Sequence, residues 1–82
     1  MKKTRASQFK NMIGYRVRAA RLAIKPEVTQ EDLCGRLARL GVQFTQASLS
    51  KLENRQRYAM DYEVVALAKV LKVRIGWLFG ER

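Results

Sequence analysis

The chain has no histidine, one cysteine, one proline and only seven acidic residues among its 82, and each scarcity narrows what it can be. Without histidine, the side chain most often used as a general base or metal ligand near neutral pH is missing. The single thiol, Cys34, cannot close an internal disulfide. Its setting in a leucine-rich stretch reads as a small buried hydrophobe rather than a nucleophile. The carboxylates are scattered and form no convincing catalytic pair. Together these absences predict a protein that is not an enzyme and holds no metal or cofactor. No run approaches the ~18 apolar residues of a membrane span, and Met1 to Ser7 lack the apolar core that follows the basic start of a signal peptide. A cytoplasmic protein is the expectation.

What is plentiful is positive charge. Lys and Arg total 17 against the seven acids, a net charge of +10. Residues 1 to 25 carry eight of those bases and no acid, so the remaining nine bases and seven acids leave only +2 for the rest. Such asymmetry favours a polyanionic partner, either a nucleic acid or an anionic membrane surface; spare lysines that merely keep the surface solvated would give the same total. At 48% hydrophobic residues the composition is that of a globular chain, and 82 residues fit one domain.

Apolar periodicity then divides the chain into helices. Phe9, Ile13, Val17, Ala20 and Ile24 recur at steps of three and four, which predicts a first helix over about residues 8–24, ended ahead of Pro26. Thr29 with Asp32 three positions on reads as a capping box for a second helix that buries Leu33, Leu37 and Leu40 and stops at Gly41. Thr45 caps a third, about 46–54, in which only Leu49 and Leu52 are large and apolar. Asp61 caps a fourth, about 62–72, burying Val64, Leu67, Ala68 and Leu71, and a short fifth over about 75–79 carries Ile75, Trp77, Leu78 and Phe79. No segment alternates with the two-residue period of a strand. The expected fold is therefore all-α, a compact five-helix bundle over residues 9–82 preceded by a flexible basic arm, 1–8.

Four motifs in order carry a resemblance: "IGYRVRAAR" in the first helix, "TQEDL" opening the second, "TQASLSKLEN" in the third and "DYEVVALAKVLKV" in the fourth. The chain resembles the helix-turn-helix domains of the lambdoid phage repressor and Cro family, often called XRE-like, over about residues 12–80. The resemblance implies a sequence-specific regulator that binds double-stranded DNA, most simply a repressor occupying an operator as a homodimer. It also implies that Gln30 and Asn54 bind phosphates, that Gln46 reads bases, and that Arg21 pairs with Glu53 as a structural ion pair. Three departures stand out: extra residues around "KPEV", a longer segment from Thr29 to Thr45, and Arg55 where the family often has glycine. The longer segment bears on the angle between the second and third helices, and so on which residues meet which bases.

Independently of the name, a major groove about 12 Å wide admits one helix, and the outer residues of its first turns can reach base edges. With Leu49 and Leu52 facing in, Gln46, Ala47, Ser50 and Lys51 face out. Gln can pair with adenine, Lys can reach guanine acceptors, and the Ala methyl can meet a thymine methyl. Thr45, Asn54, Arg55 and Arg57 flank this face and suit phosphates, as do Lys2, Lys3 and Arg5 on the arm, although a plain disordered start fits the arm equally well. Trp77 and Phe79, close to the end, are candidates for a dimer interface or for a lid on the monomer core. The rival reading is an antitoxin or adaptor of the same fold that mainly holds a protein partner, since fold does not fix function.

Overall fold

The computed structural model describes residues 9–81. Within them the chain forms five α-helices and no strand: α1 (Gly14–Ala23), α2 (Gln30–Arg39), α3 (Gln46–Glu53), α4 (Asp61–Leu71) and α5 (Ile75–Leu78). α1 packs against α3, α4 and α5, and α2 bridges α3 and α4.

The first helix begins later than the apolar stripe suggests, and Asn11 explains why. Its Oδ1 accepts from the amides of Ile13 (3.0 Å) and Gly14 (2.7 Å), while its Nδ2 donates to the carbonyls of Leu52 (3.1 Å) and Arg57 (2.8 Å). A side chain that satisfies the entering amides itself offers the backbone an alternative to another helical turn. Phe9 therefore lies ahead of α1, not on it, and packs beneath the Arg55 guanidinium at 3.8 Å. Ile13, Val17 and Ala20 are buried as the periodicity requires.

Both α2 and α3 start in reciprocal capping boxes. Thr29 Oγ1 accepts from the Asp32 amide and Asp32 Oδ2 from the Thr29 amide, at 3.0 and 3.1 Å. Thr45 and Ser48 repeat the arrangement at 3.0 and 2.9 Å, with Ser48 supplying the second acceptor. Each cap satisfies amides that have no partner within the helix. At the far end of α2, Gly41 takes φ +81°, and the amides of Gly41 and Val42 bond back to Ala38 and Leu37. Leu40, which the periodicity places inward, is 48% exposed at the frayed last turn, and Val42 beyond the turn is buried instead.

Helix α4 includes Asp61 as its first residue rather than its cap. The capping acceptor is Glu63, whose carboxylate takes the Met60 amide at 2.9 Å. Val64, Leu67, Ala68 and Leu71 are buried as expected, and α5 adds only Leu78 to the core. Among the described residues nine large side chains, including Leu33, Leu37, Leu49, Leu52, Leu67 and Leu78, are essentially inaccessible, each leucine of this kind contributing about 1.5–3 kcal/mol by leaving water.

Candidate nucleic-acid interface

Helix α3 is short and two-sided. Leu49 and Leu52 are fully buried and Glu53 nearly so, whereas Gln46, Ala47, Lys51 and Asn54 are exposed and Ser50 is half-buried. Among the described residues no side-chain bond engages Gln46, Lys51 or Asn54, so their donors face solvent. A helix anchored through two leucines with its polar groups in solvent has the two-sided character of a surface helix, and its outer face is open.

Its orientation is set by polar joints as well as by apolar burial. Arg21 of α1 forms a two-pronged pair with Glu53, Nε to Oε2 at 2.8 Å and Nη2 to Oε1 at 2.9 Å. The third guanidinium nitrogen donates to the Val28 carbonyl at 3.1 Å, and Gln30 Nε2 donates to Glu53 Oε1 at 3.0 Å. The hydrogen bond to Glu53 holds Arg21 even more firmly protonated than usual, against the burial that opposes charge. The Arg21–Glu53 pair thus ties α1, the loop before α2, the first turn of α2 and the end of α3. Gln30, assigned by resemblance to phosphate, spends one amide N–H inside this network.

A second joint lies just beyond α3. Arg57 pairs with Glu63 at 3.1 Å through its Nη2 and sits over the Phe44 ring at 4.8 Å. Arg57, one of the residues that suit a phosphate, pairs here with a carboxylate that is 4% exposed and meets that buried group's need for a counter-ion. Arg55 closes α3 in the left-handed conformation at φ +61°, the place where glycine is usual. The amides of Arg55 and Gln56 bond back to Leu52 and Lys51, and the Arg55 guanidinium stacks on Phe9 with Tyr15 at 5.9 Å. Its backbone carbonyl accepts from the Lys10 amide at 3.1 Å. Asn11 and Gly14 complete the clasp: a methyl group on Gly14 would overlap the Leu52 carbonyl oxygen and come within 3.0 Å of the Glu53 carbonyl.

Of the other expected site residues, Thr45 is exposed but its hydroxyl caps α3. Trp77 is half-buried against the core with the Arg16 guanidinium 5.0 Å from its ring, while Phe79 is 46% exposed. Trp77 packs partly against the monomer core, and of the two Phe79 is the more open. Lys2, Lys3 and Arg5 lie outside the described residues. Asn11, Gly14 and the Arg57–Glu63 pair were not foreseen as parts of the frame. The available signals were an asparagine two residues before the first buried isoleucine, and a glycine in the apolar phase of a helix, where close backbone approach is the physical reason to have one.

No family model matches the chain, and no curated protein or solved structure matches it either. Among the described residues no group of side chains could hold a metal ion, and no helix is long and apolar enough to cross a membrane.

Proposed function

We propose that the protein is a sequence-specific double-stranded DNA-binding regulator that acts as a repressor, with α3 entering the major groove of an operator. The observation that carries this reading is the split of α3 into a buried leucine edge and an exposed, unpartnered edge of Gln46, Ala47 and Lys51, on a chain of net charge +10. The resemblance to XRE-like helix-turn-helix domains points the same way. Gln46 reads an adenine, Ala47 and Ser50 leave room for close approach, and Lys51 reaches a guanine or a phosphate. Asn54 at the C-terminal end takes a phosphate. The protein binds as a homodimer on two half-sites about one helical turn apart, with Phe79 on the open apolar face between subunits.

Selection of bound sites from random duplex DNA at near-physiological salt tests this, because the salt removes affinity due to net charge alone. A defined motif is expected, and Gln46→Ala should cost about 1–3 kcal/mol on the selected site and far less on random duplex. Equal losses on both would remove the base-reading role. Recovery of no motif, with a stoichiometric protein partner co-purifying, would favour the antitoxin or adaptor reading.

A further inference from the structure

Beside the outer face of α3 lies an open groove of about 540 Å³, walled by Tyr15, Arg18, Ala19 and Leu22 of α1 and by Asn54 and Arg55 at the end of α3. Glu53 also lines it, but that carboxylate is already neutralised by Arg21 and hydrogen-bonded by Gln30. What remains is two guanidiniums, an amide and a phenol. Arg18 is exposed and has no side-chain partner among the described residues. The Arg55 guanidinium is pre-placed by its stack on Phe9 and Tyr15, so little rotamer freedom is left to lose when an anion arrives.

From this geometry we infer that the groove seats a backbone phosphate of the DNA, with Arg18 as a phosphate-binding residue on α1 alongside Arg55 and Asn54. The inference rests on the DNA-binding reading and extends it to a helix outside the base-reading segment. Scale supports the placement. From Gln46 to Asn54 is about 12 Å along the helix axis at 1.5 Å per residue, close to the major-groove width of about 12 Å. A helix whose first turn meets base edges therefore carries Asn54 to the rim of the groove, where the phosphates run.

The test is a salt titration of duplex binding with the full chain, on the selected site and on random duplex, comparing wild type, Arg18→Ala and Lys69→Ala. Lys69 is exposed on α4 and lies outside the groove, so its loss removes the same formal charge from another surface. Arg18→Ala should make the slope of log K against log salt shallower by about 0.9 and weaken binding about fivefold at 0.15 M salt, on both DNAs, with the ratio between them unchanged. Lys69→Ala should leave the slope near that of wild type. Identical slopes for the two variants would overturn the phosphate seat while leaving base reading by Gln46 intact. A wild-type chain that prefers no site and shows no salt-dependent duplex binding would overturn both. Unfolding midpoints of the two variants should match wild type, which keeps a folding defect from imitating the loss.

Discussion

Gly14→Ala sets two physical effects against each other, and the sign of the result decides between them. In an exposed helix the exchange would stabilise by about 0.5–1 kcal/mol, because alanine has the better helix propensity. Gly14, however, is buried in the first turn of α1, facing the carbonyls at the end of α3. The atoms that a methyl would meet, the Leu52 carbonyl oxygen and the Glu53 carbonyl carbon and oxygen, are backbone and cannot swing aside. Relief requires α1 and α3 to part, which would also stretch the Asn11 bond to Leu52 and loosen the packing of Ile13 and Val17, 1% and 0% exposed. Overpacking of this kind costs about 1–3 kcal/mol, with further loss from each buried bond broken. Subtracting the propensity gain leaves a net destabilisation of about 1–2 kcal/mol. For a domain of this size that lowers Tm by about 4–16 °C, readable by circular dichroism or from the urea midpoint. A Gly14→Ala protein as stable as wild type, or more so, would refute the close-approach argument.

Glu53→Ala leaves the Arg21 guanidinium buried without its carboxylate, so a loss of about 3–5 kcal/mol and a largely unfolded chain at room temperature are expected in a urea melt. Asn11→Ala removes the one acceptor that takes two entering amides and two donated bonds at once; a loss of about 2–3 kcal/mol is expected, and a change under 0.5 kcal/mol would deny Asn11 its role as a clasp. The Thr29 amide, bonded to the Asp32 carboxylate, with the Thr29 hydroxyl beside it, holds its pKa below the ordinary value. A depressed carboxylate stabilises the fold at pH above its unfolded value, about 3.9, and that contribution fades as the pH falls through the lower folded value. The gap in Tm between wild type and Asp32→Ala should accordingly be constant from pH 7 to 5 and shrink below about pH 4; a gap that widened on acidification would contradict the assignment.

The periodic elements were legible because burial and helical period speak the same language. Leu33, Leu37, Leu49, Leu52, Val64, Leu67 and Leu71 all stand where steps of three and four place them, and Thr29, Thr45 and Gly41 mark boundaries through local bonds that sequence neighbours determine. The errors fall where a partner distant in sequence decides. Phe9 continues the stripe of α1 by spacing, but the bonds from Asn11 to Leu52 and Arg57, more than forty residues away, stop the helix short of it. Leu40 is a local exception: it fits the phase of α2, yet it is exposed and Val42, beyond the Gly41 turn, is buried instead. The Arg57–Glu63 pair was likewise illegible, because nothing local reveals that Glu63 is buried. On the candidate interface, spacing alone separated the inner leucines of α3 from the outer Gln46, Ala47 and Lys51. Arg18 could not be singled out, since its place in the groove depends on how α1 lies across the end of α3.

The distribution of buried polar groups bears on how a helix held by only two leucines can still point in one direction. Apolar burial is non-directional; Leu49 and Leu52 would tolerate a modest roll or slide of α3. Three polar joints remove that freedom, and all three gather at its C-terminal end. Arg21, Glu53 and Gln30 fix α3 to α1 and α2. Asn11 grips Leu52 and Arg57. Arg57 and Glu63 fix the exit loop to α4. Of the seven acids in the chain, the two that are buried serve these joints. Well-packed apolar residues in place of the Arg21–Glu53 pair could leave stability unchanged or raise it, so stability alone is a weak reason for the arrangement. Directional bonds confined to about 2.7–3.2 Å constrain register far more tightly than dispersion contacts do. With the C-terminal end fixed, the exposed N-terminal turn of α3 is aimed rather than merely attached. A base-reading role requires that property, because a slip of one residue would exchange Gln46 for Ala47 at the base edge.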